Sequence, residues 1–520
     1  MNCDNIETQN FGRLKGKSDM DIRKAKEQIR NAVTAYLTKD ELGNYVIPVE
    51  KQRPVLLIGP PGIGKTAIME QLASELGIGL ISYSMTHHTR QSAIGLPFIS
   101  RRVYGGTECD VTEYTMSEII ASVYDLMETT GVRQGILFLD EINCVSETLS
   151  PLMMQFLQYK VFGGHRLPEG WIVVTAGNPP EYNDSAREFD IVTLDRLKKM
   201  DVEPDFEAWK EYASAAHIHP AVMSFLQSRR ERFYHVETTV SGKSIVTPRG
   251  WEDLSKMLLL YEKNGIEADE DLIVQYLQNS AAAKEFNTYL ALFNKYREEY
   301  PVDAILDGEV PEGMTERVSQ AGFDEVYTLI GLLLSSVKDD VRGRMEERRL
   351  IESVRLCLRE YKAAASEELE PDVNMRRLIG RIESGRESGL RAHSLTREEA
   401  DRMLRTASCL YDMEARTASL KDYDAAFDII RDASAELVAE HNEKAETTKN
   451  RMENLFSFAE SCWGDEKEML LIVTELTADP DTVSFISTYG CDGYYRHNKN
   501  LLFDERQTAI EQEIEKLELR

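Results

Sequence analysis

The feature that most constrains this chain is a glycine-rich loop between a short apolar run and a predicted helix. The run Val55–Ile58 leads into the octet GPPGIGKT, and Ala67–Leu76 then has the composition of a helix. The octet fits the pattern G-x-x-x-x-G-K-[ST] at every position. Glycines let the backbone wrap around a phosphate, with N–H groups turned inward at a helix N-terminus that favours anions. The pattern predicts a nucleotide site built from Gly59, Pro60, Pro61, Gly62, Ile63, Gly64, Lys65, Thr66 and Ala67.

A second apolar run, at 136–139, ends in a pair of carboxylates. Asp140 and Glu141 follow it directly, and Asp140 lies 75 residues after Lys65. A carboxylate at the end of a buried strand can hold Mg²⁺ directly or through water, and the Thr66 hydroxyl can be a further ligand. The adjacent Glu141 is suited to polarising an attacking water. We therefore predict Thr66 and Asp140 as magnesium ligands and Glu141 as a catalytic group.

A third polar group follows the next apolar run, at 171–176. Asn178 lies 38 residues beyond Asp140. An amide at this strand end could orient the water between Glu141 and the terminal phosphate, while Lys65 reaches the β- and γ-phosphates. The predicted catalytic set is thus Lys65, Glu141 and Asn178.

Apolar runs alternate with helical stretches as far as Pro204, and this alternation is typical of an α/β layer architecture. Beyond Pro204 helical patterns dominate, with boundaries indicated at Pro301 and in the loop-like stretch 307–315. The polar stretch 384–395 predicts a break between helices. The predicted organisation is a flexible N-terminus (1–20), an α/β nucleotide-binding domain (21–204), a helical lid (205–300), a helical C-terminal domain (301–460) and a small C-terminal subdomain (461–520).

The composition limits which partners and which cellular compartment we expect. Lys and Arg number 61 against 89 Asp and Glu, a net charge of −28. Nucleic-acid binding needs clustered positive charge, so the balance argues against such a partner. Seven cysteines without a C-x-x-C pair argue against a disulfide framework or a zinc ribbon. With no run of about 18 apolar residues and no signal-peptide core, we expect a cytoplasmic protein without a membrane span.

Taken together, these motifs resemble the AAA+ ATPases over about residues 30–260. GPPGIGKT is similar to their Walker A motif, LFLDE (137–141) to Walker B, and TAGNP (175–179) to sensor 1. The resemblance implies a P-loop core with a five-stranded parallel sheet of order 5-1-4-3-2, followed by a helical lid. It also implies ATP and Mg²⁺ as cofactors, although a related restriction GTPase uses a similar core.

Two further segments resemble the MoxR-like members, which are related to magnesium-chelatase-type ATPases. LDRL (194–197) is similar to a segment that carries the arginine finger, which makes Arg196 the candidate, although Leu197 stands where phenylalanine is common. Arg187 is a rival. TPR (247–249) resembles the start of the lid helix that bears sensor 2, so Arg249 is expected to contact nucleotide and to take part in catalysis.

Two insertions expected of the same group are also present. The stretch 98–115 alternates around a Gly-Gly pair, and 160–170 contains another, so both are predicted to be β-hairpins. In such proteins these hairpins face a central pore. Several of their side chains look exposed and are suited to gripping a peptide. It is equally possible that they only form ordinary polar hairpin tips. These side chains are Arg101, Arg102, Tyr104, His165 and Arg166.

The resemblance implies an ATPase that works as a homo-hexameric ring and remodels or matures a partner protein complex. It suggests a von Willebrand factor A domain protein as partner, together with a protein substrate. Two alternatives stay open: a nucleic-acid-associated motor, which the net charge disfavours, and a nucleotide-gated scaffold, which an intact catalytic set disfavours. The C-terminal 220 residues carry no motif that we assign to a family, and we expect them to select the partner.

Overall fold

The computed structural model describes residues 20–239, 242–364, 370–418, 420–465 and 467–498. The predicted flexible N-terminus therefore lies outside the described residues, apart from Met20. Contacts divide the chain into two compact units. The first unit comprises the described residues up to 72 together with 81–124 and 134–205. The second unit comprises 73–80, 125–133 and the described residues from 206 onward.

The strands and helices follow in chain order. The strands are β1 (Val55–Ile58), β2 (Gly79–Ser84), β3 (Pro97–Tyr104), β4 (Thr107–Tyr114), β5 (Gly135–Asp140), β6 (Val161–Phe162), β7 (His165–Arg166), β8 (Trp171–Gly177), β9 (Lys198–Asp201), β10 (His235–Thr239) and β11 (Gly242–Val246). The helices are α1 (Ile22–Tyr36), α2 (Ala67–Leu76), α3 (Arg90–Ile94), α4 (Glu118–Thr130), α5 (Ser150–Tyr159), α6 (Ile191–Leu194), α7 (Phe206–Ala215), α8 (Pro220–Ser228), α9 (Pro248–Lys263), α10 (Glu270–Leu277), α11 (Ser280–Glu299), α12 (Val302–Leu306), α13 (Met314–Ser319), α14 (Phe323–Ala363), α15 (Pro371–Arg391), α16 (Arg397–Thr417), α17 (Tyr423–Trp463), α18 (Lys467–Thr477) and α19 (Pro480–Tyr489).

A five-stranded parallel sheet forms the centre of the α/β region, with the order β2-β5-β8-β1-β9. Numbered within the sheet, this is 5-1-4-3-2 read from the opposite edge, so the predicted fold is confirmed. Strands β1, β5 and β8 are almost wholly buried, as expected of strands covered on both faces. Glu141 and Asn178 directly follow the carboxyl ends of β5 and β8, and the loop that carries Lys65 follows β1.

The last strand differs from its prediction. The apolar pattern placed it at 200–203, whereas β9 covers Lys198–Asp201, with Val55 opposite Lys198. The strand lies at the edge of the sheet, where one side is open and polar residues are tolerated. A search for apolar runs therefore misses its first half.

Both predicted hairpins are present in the first unit. Strands β3 and β4 pair from Pro97 opposite Tyr114 to Tyr104 opposite Thr107. The two connecting glycines, Gly105 and Gly106, have φ values of +57° and +85°, the left-handed backbone that a tight type I′ turn requires. The shorter β6–β7 hairpin uses the same device at 163–164. A hairpin in the second unit, β10–β11, was not predicted, because its strands are short and mostly polar.

The described part of the second unit is mainly helical, and its buried apolar residues include three clusters. One core packs aromatic side chains of α8, α9 and α11, among them Phe225, Trp251 and Phe286. A second joins α14 to the later part of α17 and to α18 and α19, and a third joins α14 to α15, α16 and the start of α17. Because α17 runs through residue 460, continuous helix crosses the last predicted domain limit. The limits proposed from the sequence stay predictions.

The predicted break between helices is present, but it occupies only the end of the 384–395 stretch. Helix α15 continues to Arg391, and the turn to α16 occupies the few residues before Arg397. The helix continues through Gly389, which is a glycine because of its packing: a Cβ there would lie 2.3 Å from Cδ1 of Leu395. The glycine makes room for the returning chain rather than ending the helix. Among the described residues, no helix is both long and apolar enough to cross a bilayer.

Candidate nucleotide-binding site

The glycine-rich loop connects β1 to α2 and relies on backbone that only glycine adopts readily. Gly62 and Gly64 have φ values of +76° and +96°. Glycine is needed at position 59 for a different reason, because a Cβ on Gly59 would lie 2.6 Å from the carbonyl oxygen of Val202, just beyond β9. Hydrogen bonds from Ile68 N to the Gly64 carbonyl begin the helix directly after the loop. Such a turn at a helix N-terminus is suited to binding an anion.

Lys65 is the buried cation of this loop, with 7 % of its surface exposed. Its Nζ donates to the carbonyl oxygens of Gly59 and Pro60, each at 2.8 Å, and to Asn178 Oδ1 at 2.9 Å. Strands β1 and β8 are neighbours in the sheet, so the ends that carry Lys65 and Asn178 lie together. The structure places these two predicted residues in direct contact across 113 positions of sequence.

Thr66 and Asp140 also lie in contact. The Thr66 hydroxyl donates to Asp140 Oδ2 at 2.9 Å, and the Glu141 N–H donates to Oδ1 of the same carboxylate at 2.8 Å. A hydroxyl and a carboxylate side by side offer the hard oxygen ligands that Mg²⁺ prefers beside nucleotide phosphates. The two predicted ligands therefore fit the ion. No cluster of three or more His, Cys, Asp or Glu side chains suited to a metal occurs in the described part of the chain.

Glu141 is held by two hydroxyl groups that sequence reasoning missed. Its φ of +55° is left-handed and aims the side chain away from the strand direction. Ser84 Oγ donates to Glu141 Oε2 at 2.8 Å, and Thr86 Oγ1 donates to the same oxygen at 3.2 Å. Strand β2 lies next to β5, and Ser84 ends β2. Polar residues at the carboxyl end of the neighbouring strand were the available signal.

Asn143 is a second residue that the sequence did not single out. It lies in a 3₁₀ turn, Ile142–Cys144, directly after Glu141, and only 5 % of its surface is exposed. Its Nδ2 donates to the backbone carbonyl of Asn178 at 2.8 Å. The turn that follows Glu141 is thereby tied to the end of β8.

Cys144 closes the same turn and is an unreactive neighbour of the site. Partial burial raises the pKa of its thiol, and the nearby carboxylates of Glu141 and Asp140 raise it further. Asn183 Nδ2 donates to its sulfur at 3.3 Å. A thiol with a raised pKa contains little thiolate, so Cys144 is not a nucleophile of this site.

The two candidate arginine fingers lie on one exposed segment of the first unit. Arg187 pairs with Glu147 at 3.0 Å, whereas Arg196 has no ion pair within the ranges the structure describes. Between them, Asp190 caps α6 by accepting from the Thr193 N–H, and this hydrogen bond holds its pKa below the ordinary value, helped by the charge of Arg196. Arg196 is the more available of the two cations.

Arg249 belongs to the second unit and lies near the start of α9. Thr247 caps that helix by accepting from the Gly250 N–H, and Pro248 occupies the first turn. The arginine side chain is exposed. Its predicted roles in nucleotide binding and catalysis stay predictions.

Comparison with known proteins supports the nucleotide site. Residues 55–190 match the family model described as ATPase family associated with various cellular activities (AAA). No curated protein matches the chain. Among solved structures, two single-residue variants of Thermotoga maritima RuvB are similar at 18 % and 17 % identity. The matches cover 50 % and 49 % of this chain and 69 % of each RuvB chain, with TM-scores of 0.28 and 0.27. The family match spans the glycine-rich loop, Asp140, Glu141 and Asn178, so residues 55–190 are similar to an AAA ATPase domain.

Proposed function

We propose that this chain is a MoxR-like, Mg²⁺-dependent ATPase that works in an oligomeric ring, most simply a hexamer, and remodels a partner protein complex. One observation carries the chemistry. The contacts Lys65–Asn178 and Thr66–Asp140 bring the ends of three neighbouring strands to one place, next to Glu141. Phosphoryl transfer depends on such positioning and on charge neutralisation more than on covalent chemistry.

The phosphates would be held by the loop. Backbone N–H groups around Gly62 and Gly64 would donate hydrogen bonds to the phosphates, and Lys65 would supply positive charge at the β- and γ-phosphates. The Lys65 amine would exchange its hydrogen bonds to the loop carbonyls for phosphate oxygens. Mg²⁺ held at Thr66 and Asp140 would neutralise charge that develops on those oxygens.

The attacking water would be placed by Glu141 and Asn178. Glu141 is the general base, and the Ser84 and Thr86 hydroxyls set the direction of its carboxylate. Asn178 accepts a hydrogen bond from the loop lysine, and its amide would orient the water. Lys65 is the cation that the loop itself supplies to this site.

A further positive charge is proposed to come from the neighbouring subunit. An arginine finger supplied in trans accelerates related reactions by about 10³–10⁵. We assign Arg196 to this role, because Arg187 is already paired with Glu147. Arg249, on the lid helix, is proposed to contact the nucleotide as sensor 2.

The proposed protein substrate and partner are based on the resemblance to MoxR-like ATPases. LDRL and TPR support a partner with a von Willebrand factor A domain and a protein substrate gripped by the β3–β4 and β6–β7 hairpins. The nucleic-acid motor would instead be stimulated by DNA, and the scaffold would assemble without turnover. ATP is preferred to GTP on the same family grounds.

Three variants test the proposal. Glu141→Gln should bind ATP as the wild type does but lose turnover about 10²–10⁴-fold, because the base is gone. Arg196→Ala should also bind ATP and lose turnover about 10³-fold or more, whereas Arg187→Ala should keep most of it. The measurements are steady-state ATP and GTP hydrolysis and sedimentation of Glu141→Gln with and without ATP·Mg²⁺.

The outcomes separate the parts of the proposal. A closed ring formed by Glu141→Gln with ATP supports shared sites, and that trapped ring can then capture the partner complex. Normal turnover by Arg196→Ala, with loss in Arg187→Ala, would move the finger to Arg187. A wild-type monomer with full activity at any dilution would contradict action in trans altogether.

A further inference from the structure

Asn143 connects three parts of the first unit that are separate in sequence. Its own turn follows Glu141 directly, and its Nδ2 donates to the Asn178 carbonyl at 2.8 Å. The same nitrogen lies 3.5 Å from the carbonyl oxygen of Arg187, and the Arg187 N–H donates to the Asn143 carbonyl at 3.0 Å. Both backbone and side chain of one residue thus contact the segment that carries the candidate fingers.

The amide is held in a single place by close packing. It is buried, and a Cβ at Gly177 would lie 2.4 Å from Asn143 Oδ1. Residue 177 immediately precedes Asn178, so β8 approaches the amide at the point where the hydrogen bond forms. A buried amide that loses its acceptor is costly, so Asn178 and Asn143 are expected to shift together.

The connection continues to Arg196 through a short, capped segment. Three residues after Arg187, Asp190 caps α6, and the Arg196 N–H donates to the Thr193 carbonyl at 3.0 Å after that helix. The cap of α6 and this hydrogen bond give the chain between Arg187 and Arg196 a regular local structure.

We infer that Asn143 is a positioning residue that couples a subunit's own water-placing groups, Glu141 and Asn178, to the arginine it offers its neighbour. The inference rests on the proposed function, since it needs a finger that acts in trans. It assigns Asn143 no contact with nucleotide. Its effect is that engagement of Asn178 in one site sets the finger position for the next site.

Mixed rings test the coupling, because each subunit can be restricted to one role. The acceptor carries whichever arginine variant loses turnover, Arg196→Ala or Arg187→Ala, and offers no finger. The donor carries Glu141→Gln and contributes only a finger. Three donors are mixed with the acceptor at the same donor-to-acceptor ratio, and ATP hydrolysis is measured. The first donor carries Glu141→Gln alone. The other two carry Glu141→Gln together with either Asn143→Ala or Asn183→Ala. Asn183 is the matched control, since it contacts Cys144 in the same region but not Asn178.

The donor with Glu141→Gln alone should restore hydrolysis to the acceptor, and so should the donor that also carries Asn183→Ala. The donor that also carries Asn143→Ala should restore at least about tenfold less hydrolysis than either. Fluorescent-ATP binding and sedimentation establish that all three donors bind nucleotide and assemble. Equal restoration by the Asn143→Ala donor would overturn the coupling. Failure of Glu141→Gln alone would instead show that no finger acts in trans, which removes the proposed mechanism and the coupling with it.

A donor that carries Asn143→Asp in place of Asn143→Ala provides a second test of the coupling if the alanine donor does not assemble. The aspartate keeps the side-chain shape, but when ionised it cannot donate to the Asn178 carbonyl. Burial raises the pKa of such a carboxyl, and its protonated form can donate. Restoration by this donor, divided by that of Glu141→Gln alone, should therefore rise from pH 8 to pH 6. A ratio that does not change with pH would overturn the coupling.

Discussion

Lys160 combines two unfavourable features in one residue. It ends α5 with a left-handed φ of +58°, and only 1 % of its surface is exposed. Its Nζ donates to the carbonyl of Leu157, one of the groups that a helix end leaves without an intrahelical partner. Burial lowers the pKa of the amine to about 7. The cation is thus used as a helix cap despite its desolvation.

The lowered pKa predicts that stability rises with pH. Between pH 7 and 10 the unfolded lysine keeps its proton while the folded one releases it, so the free energy of unfolding should rise by up to about 1.4 kcal/mol per pH unit. Lys160→Met should lack this contribution. Urea unfolding at pH 7, 8 and 9 measures the slope for both proteins.

The control for this effect is Lys51→Met, which changes an exposed lysine and should keep the wild-type slope. Equal slopes for wild type and Lys160→Met would contradict the lowered pKa.

At the scale of elements, α15 contains glycines with opposite surroundings. Gly380 is exposed, and a Cβ there would meet nothing within 4 Å, whereas one at Gly389 would lie 2.3 Å from Leu395 Cδ1. A sequence pattern treats both as weak points in a helix. Their roles differ because only Gly389 faces the returning chain.

Alanine should therefore act in opposite directions at these two positions. Gly380→Ala should stabilise by about 0.5–1 kcal/mol through lower backbone entropy of the unfolded chain. Gly389→Ala should destabilise by about 1–3 kcal/mol, because Leu395 must move. Urea unfolding of the two variants measures both effects, and stabilisation by Gly389→Ala would contradict the packing argument.

Over the whole second unit, Glu475 joins elements far apart in sequence. The carboxylate is 5 % exposed and accepts from Lys210 of α7, from Gln227 of α8 at 3.0 Å and from Lys338 of α14 at 3.4 Å. Burial alone would raise its pKa, but the charges of Lys338 and Lys210 outweigh that effect and lower it. Helices α7 and α8 are thereby linked to α14 and α18.

Removing this carboxylate should destabilise the second unit strongly. Glu475→Ala leaves two largely buried lysines unpaired, and losses of about 3–5 kcal/mol are typical of such a change. Glu475→Gln, which keeps hydrogen-bond acceptors, should lose less. Urea unfolding at pH 7 compares the two. Because the pKa is lowered, the wild-type contribution should disappear as the pH falls below 4.5, and equal stability of Glu475→Ala and wild type at pH 7 would contradict the linkage.

Much of the α/β core could be predicted from the sequence. Buried strands appear as short apolar runs, and their alternation with helices indicates a parallel sheet. The edge strand β9 was misplaced, and the β10–β11 hairpin was missed, because both contain mostly polar residues whose pairing depends on neighbours. The helical region was recognised as helical, but its cores depend on how α14 and α17 pack with other helices.

The sequence by itself determined the glycine-rich loop, because eight contiguous residues carry the whole pattern: glycines for left-handed backbone, a lysine and a hydroxyl. It also placed Asp140, Glu141 and Asn178 at strand ends. The tertiary structure alone decided which groups meet there. Ser84 and Thr86 reach Glu141, and Asn143 reaches both Asn178 and Arg187, because the lateral order of strands brings their ends together. Such contacts join residues with no fixed spacing in sequence, and only packing of the sheet sets their distances.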